Sequence, residues 1–217
     1  MSNNKQNNNQ KDILYLGSKS SSRRKLIELA DIKYVLLEHE SDECGIDLEK
    51  SFSAYVLSIA RHKMEKLILP DIKDFKNQDH IFVLTADTLV RTINSKHILT
   101  KPGNVADAKR MLTLLRQEPA EIITACCLEK KILQNDTWVT DKQDCFSNLS
   151  IVDFCVPENY VDLYFQKEPH ALKAAGSAAV ENYGLNFFKN IKGSFTGVLG
   201  LPLFELREAL QKIGFNF

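Results

Sequence analysis

One stretch limits the fold more than any other: Ile13-Leu-Tyr-Leu-Gly-Ser-Lys-Ser-Ser-Ser-Arg-Arg-Lys-Leu-Ile-Glu-Leu-Ala30. The apolar run Ile13 to Leu16 predicts a strand that enters a Gly/Ser turn, and Leu26, Ile27, Leu29 and Ala30 then recur at helical spacing. Ser20 or Ser21 is placed to cap that helix by accepting from a backbone N–H that has no partner in the first turn. The helix opens with free N–H groups and a positive dipole end, and it adds two guanidinium groups, Arg23 and Arg24. Cations usually favour the opposite end of a helix. Their presence here points to an anionic ligand, and phosphate suits the bidentate fork of arginine.

Other strong elements place further chemistry. Ile81 to Ala86 is a continuous apolar run rich in β-branched or aromatic residues, and it predicts a buried strand ending at Asp87-Thr88. A carboxylate there is costly unless a cation or several donors meet it. A helix is expected over Phe52 to Ile68, stopped by Pro70, with Arg61, His62 and Lys63 on or beside its polar side. Leu89 to Ile93 and His97 to Leu99 predict a hairpin, followed by Lys101-Pro102 and a helix capped by Asn104. Glu121 to Leu128 and Thr137 to Phe154 predict long antiparallel strands joined at Asn135-Asp136. A helix follows from Pro157 through Phe165, then a glycine-punctuated segment, then a last helix over Leu203 to Ile213.

Composition removes several classes. With 28 basic and 28 acidic residues there is no net field to draw in nucleic acid or an anionic membrane, so any phosphate site must be a local cluster. No apolar run is long enough to span a bilayer. The five cysteines, Cys44, Cys126, Cys127, Cys145 and Cys155, form no CxxC pair. Their odd number argues for a reducing compartment and against a disulfide frame or structural zinc. Residues 1–12 are polar and low in complexity, without the apolar core of a signal peptide. They are expected to be a disordered tail on a cytoplasmic protein, ahead of a single domain over 13–217.

Taken in order, Ser18…Arg23-Arg24, Asp42-Glu43, Ala86-Asp87-Thr88, Lys101-Pro102 and Gly200-Leu-Pro-Leu203 resemble the Maf family of nucleoside triphosphate pyrophosphatases. The resemblance runs from about Ile13 to the last helix. It implies an α/β fold related to the inosine triphosphate pyrophosphatases, with a long twisted mixed sheet, flanking helices and a cleft between two lobes. It also implies hydrolysis of a nucleoside triphosphate to the monophosphate and pyrophosphate, a divalent cation (Mg or Mn) and a homodimer. Asp87 then becomes the catalytic base or water-orienting group, and Glu43, with Asp42 beside it, shares the metal with Asp87. Ser18, Arg23, Arg24, Lys63 and Lys101 grip the phosphates.

Base choice divides two branches of that family. One resembles dTTP/UTP pyrophosphatases, with the arginine pair one residue earlier; the other resembles 7-methyl-GTP pyrophosphatases, with a Trp interposed. Here Ser22 stands where that Trp would be, and Glu181 stands where the first branch carries Gln. Thr88, by contrast, matches the first branch. A carboxylate at 181 suits the two donors of a guanine edge, so the expectation is 7-methyl-GTP, with dTTP/UTP as the alternative. A non-catalytic nucleotide-binding regulator, suggested by the family's link to septum formation, would have lost the acidic residues. An RNA-binding module would need aromatic and basic residues interleaved, which the chain lacks.

Overall fold

The computed structural model describes residues 11–38, 51–75 and 79–217. The sheet order is β2-β1-β3-β5-β6-β7, with β4 paired to β3. Strands β1 (Leu14–Gly17), β2 (Tyr34–Leu36) and β3 (His80–Thr92) run parallel to one another. The rest of the sheet is antiparallel: β4 (Ile98–Leu99), β5 (Ala120–Gln134), β6 (Thr137–Phe154) and β7 (Phe188–Lys192). The mixed sheet with helices on its faces is the architecture the resemblance implies.

Side-chain alternation assigns the two faces. Ile81, Val83, Leu89, Ile123, Ala125 and Cys127 pack against α2 (Phe52–Glu65). Thr85 on that face donates to the Ala60 carbonyl at 2.7 Å, docking the helix on the strand. The intervening residues Phe82, Leu84, Ala86, Cys126 and Leu128 pack against α1 (Ser21–Leu29) and α6 (Leu203–Ile213). A third cluster gathers α3 (Val105–Gln117), α4 (Val161–Lys167) and the segment leading to β7. The short helix α5 (Phe195–Val198) is N-capped by Ser194, whose hydroxyl accepts from the Gly197 N–H.

Several expectations are met and some are corrected. Ser20 caps α1, and Asn104 caps α3. Helix α2 ends a turn before Pro70, because the Ile68 N–H leaves the helix to bond the Glu38 carbonyl at 3.0 Å. The helix expected from Pro157 opens as a 3-10 turn over Glu158–Tyr160 before α4 begins. β3 does not end at Ala86. It runs through Asp87-Thr88 to Thr92, paired along its whole length with β5. Its parallel neighbour β1 does stop, with Gly17 opposite Thr85, and β4 joins the same edge only at Val90. Residues 86–89 therefore face a gap in the sheet edge. The two residues expected at a strand terminus stand instead beyond the end of the adjacent strand.

Residues 1–10, most of the tail expected over 1–12, lie outside the described residues. Asp12 belongs to the body: it exchanges backbone and side-chain hydrogen bonds with Asn216. No helix among the described residues is long and apolar enough to cross a membrane.

Candidate active site

The gap beside β3 opens into a cavity of about 490 Å³, walled by the β1–α1 turn, by β3 and by residues 168–182. A cavity of this size accommodates a small organic ligand.

Arg23 organises its floor. The residue stands three and four positions before Leu26 and Ile27, the buried positions of α1, so its side chain is drawn inward and is 8% exposed. Its Nε donates to the Gly200 carbonyl at 2.7 Å, one terminal nitrogen to Ser18 Oγ at 3.0 Å and the other to Thr88 Oγ1 at 2.9 Å. Gly200 has φ +103, a backbone conformation that favours glycine and that here turns its carbonyl onto the guanidinium. Burial pulls the Arg23 pKa below its ordinary value, and the Asp87 charge opposes that pull.

The hydroxyl protons can be followed from these bonds. Thr124 donates to the Gly197 carbonyl at 2.7 Å, so in the 2.8 Å pair between Thr88 and Thr124 the donor is Thr88. Thr88 therefore spends its proton inside the protein and acts as a strut for Arg23. Ser18 Oγ accepts from Arg23 and from the Ser20 N–H, which leaves its own proton for a ligand.

On the α2 face of β3, Asp87 Oδ1 accepts from Lys63 Nζ at 2.5 Å, both side chains being nearly nine-tenths buried. The ammonium answers the cost of placing a carboxylate in the sheet. Lys101, exposed on the loop after β4, also borders the cavity.

The sequence expectations divide accordingly. Ser18, Ser22, Arg23, Lys63, Asp87, Thr88, Lys101 and Glu181 all border one cavity. Arg24 does not: it lies on another side of α1, where its Nε is buried without a hydrogen-bond partner. Glu43 and Asp42 lie outside the described residues. Among the described residues no cluster of three or more Asp, Glu, His or Cys could hold a metal. Among the described residues, Asp87 is the acidic group of the cavity that stands beside Arg23 and Lys63. Mg²⁺ is commonly bound by one or two carboxylates together with substrate phosphates and water, which this donor set fits.

Three lining residues escaped sequence reasoning. Lys25 reaches across to Glu181, Nζ to Oε2 at 3.3 Å. Its helical phase, three residues after Ser22, was a usable signal; its partner 156 positions away was not. Lys173 borders the cavity next to Ala174. Glu168 is 3% exposed, and its Oε1 accepts from the Tyr183 N–H at 2.6 Å, bracing the wall that carries Glu181.

Fold and cavity together define an α/β protein with a cation-lined cavity beyond the end of a parallel strand. A family model described as Maf-like protein matches residues 13–213, and the chain belongs to the Maf family. Three similar curated proteins carry the printed name dTTP/UTP pyrophosphatase. The Acholeplasma laidlawii protein is 31% identical over 199 residues, covering 92% of this chain and 95% of its own length. A Bacillus cereus protein is 34% identical over 214 residues, covering 98% and 95%. A Bacillus mycoides protein is 32% identical over 200 residues, covering 92% and 94%.

Proposed function

We infer that this chain is a nucleoside triphosphate pyrophosphatase whose substrates are the pyrimidine nucleotides dTTP and UTP. The carrying observation is the Asp87–Lys63 pair, set in one cavity with Arg23 and Ser18 in a Maf-family chain. Asp87 orients a water and takes its proton as the water oxygen bonds the α-phosphorus. The bond from that phosphorus to the bridging oxygen breaks, and pyrophosphate leaves. Arg23, Ser18 and Lys101 hold phosphate oxygens, and the cations offset the charge that builds on the leaving group. A divalent cation, held by Asp87 and by Glu43 of the family motif, would add further charge neutralisation at the phosphates. The homodimer belongs to the same proposal, and light scattering checks it.

The names of the relatives favour the pyrimidine reading over 7-methyl-GTP. The physical objection to it is that a carboxylate alone at 181 would repel the carbonyls flanking a pyrimidine N3–H. Lys25 removes that objection. The pair presents an acceptor from Glu181 beside a donor from Lys25, the pattern a glutamine offers. The arginine register is neutral between the branches: position 23 carries an arginine in either one, and Arg23 is the arginine that borders the cavity.

The test is pyrophosphate release with Mg²⁺ across UTP, dTTP and 7-methyl-GTP. UTP and dTTP should give the higher kcat/KM, and Asp87→Asn should lower turnover by about 10²–10⁴-fold while the fold persists. Lys25→Ala should lower kcat/KM for UTP by about 10-fold or more and spare 7-methyl-GTP, as expected for loss of a charged hydrogen bond. A preference for 7-methyl-GTP that Lys25→Ala leaves unmoved would return the assignment to the purine branch. No pyrophosphate release from any of the three would favour the non-catalytic regulator.

A further inference from the structure

Two cysteines stand face to face outside the cavity. Cys127 on β5 and Cys145 on β6 are direct register partners in the antiparallel ladder, and their sulfurs are 2.9 Å apart. Residues opposite one another in such a ladder have Cβ atoms about 4.5–5.5 Å apart, and a disulfide needs about 3.5–4.5 Å, so a small closure joins them. Cys127 is fully buried, whereas Cys145 keeps part of its surface in solvent.

Two buried thiols in contact are ordinarily only packing. The surroundings of this pair differ. The Arg61 guanidinium of α2 stands close enough to Cys145 to act on it electrostatically, and Gln143 Nε2 lies 3.7 Å from the Cys127 sulfur while donating to Glu129 at 2.8 Å. Glu129 is itself neutralised by Lys131. A guanidinium on a partly exposed sulfur is the setting of a reactive cysteine rather than a structural one. The neighbouring Cys126 is the internal contrast: it points to the other face, and burial pushes its thiol up to about 12.

We propose that Cys127 and Cys145 form a reversible dithiol redox site, in which Cys145 attacks peroxide-class oxidants and Cys127 resolves the product to a disulfide. The contact with Cys127, joined by the Arg61 charge, holds the Cys145 thiol below its ordinary range, while Cys127 is raised by that same contact and by burial. Cys145 is therefore the thiolate. Its sulfur bonds one oxygen of hydrogen peroxide, the O–O bond breaks and hydroxide leaves, giving a sulfenic acid. The Cys127 sulfur then displaces that hydroxyl group, which departs as water with the Cys127 proton. The sum is two thiols and one peroxide giving a disulfide and two waters, with the thiols oxidised by two electrons.

Full-length reduced protein treated with a small excess of hydrogen peroxide and followed by intact mass and peptide mapping tests this. The expected result is loss of two hydrogens, a cross-link between Cys127 and Cys145, and reversal by dithiothreitol. The rate should persist below pH 7, where an ordinary thiol of pKa about 8.5 slows. Cys145→Ser should abolish the cross-link, Cys155→Ser should not, and Cys127→Ala should leave a sulfenic acid at Cys145 that dimedone traps. A wild-type protein that stays reduced, gains oxygen without a cross-link, or pairs Cys145 with another cysteine would overturn the proposal.

Discussion

Arg23 is tied to the protein by all three of its nitrogens, to acceptors on the β1–α1 turn, on β3 and on the loop before α6. A guanidinium has five N–H groups, so two remain for a ligand after these bonds. The rigid fork explains why lysine is no substitute, since one ammonium cannot meet three acceptors spread over such an arc. Arg23→Lys should therefore lower both kcat/KM for every triphosphate and thermodynamic stability, the latter by about 1.5–3 kcal/mol per charged bond lost. Chemical denaturation with parallel kinetics checks the pair of effects. A variant that loses activity but no stability would make Arg23 a ligand contact without a bracing role. Arg24→Ala is the control. With no place on the cavity wall, Arg24 should be dispensable for turnover to within a few-fold, and a loss as large as that of Arg23→Lys would put it back among the phosphate contacts.

At the scale of elements, the wall bearing Glu181 depends on a clasp from α4. The Tyr164 hydroxyl, fully buried, donates to the Ser177 carbonyl at 2.8 Å and accepts from the Ala179 N–H at 2.7 Å. Burial raises its pKa above the ordinary phenol value, so it remains a donor throughout any practical assay range. Gly184 seals the same turn, because a Cβ there would stand 1.7 Å from the Ala179 oxygen. Tyr164→Phe should cost about 1–3 kcal/mol for each buried backbone group left unpaired, and KM should rise more than kcat falls. A fall in kcat alone would argue that the clasp serves the reacting phosphate instead. These elements also show what was legible in the chain. Periodicity located α1, α3, α6 and the β5–β6 pair, because each repeats one pattern over many residues. It misread β3, since a lone aspartate breaks an apolar run and the lysine that neutralises it comes from a helix 24 positions earlier. It passed over β7 because Phe188-Lys-Asn-Ile-Lys192 has too few apolar residues to announce a strand, and the edge of β6 supplies the reason for it. The inward turn of Arg23 was readable from its phase with Leu26 and Ile27. The partnership of Lys25 with Glu181 was not readable, because nothing local requires it.

At the scale of the molecule, the cavity lies where two apolar clusters meet on one face of the sheet. The one beneath α1 and α6 carries Arg23 and Ser18; the one built on α3 and α4 carries the wall with Glu168, Lys173 and Glu181. Among the described residues the Lys25–Glu181 pair bridges these walls, and this pair is partly exposed and so weak by itself. A triphosphate held by its phosphates on one side and its base on the other would bridge them more strongly, and its binding energy would then appear as stability of the whole chain. Asp87→Asn allows the measurement without turnover. At a UTP concentration of about 100 times Kd, linkage predicts about 2.7 kcal/mol of stabilisation, or a rise in Tm of roughly 5–11 °C for a chain of this size. Uridine at the same concentration should give almost none of it, because it lacks the phosphates assigned to Arg23, Ser18 and Lys101 in the proposed function. Adding Lys25→Ala should reduce the shift at fixed UTP concentration, because the base then loses its donor. Calorimetry with Mg²⁺ present separates the outcomes. Equal shifts for uridine and UTP would show that the cationic floor does not carry binding, and the assignment of Arg23, Ser18 and Lys101 to the phosphates would fall with it.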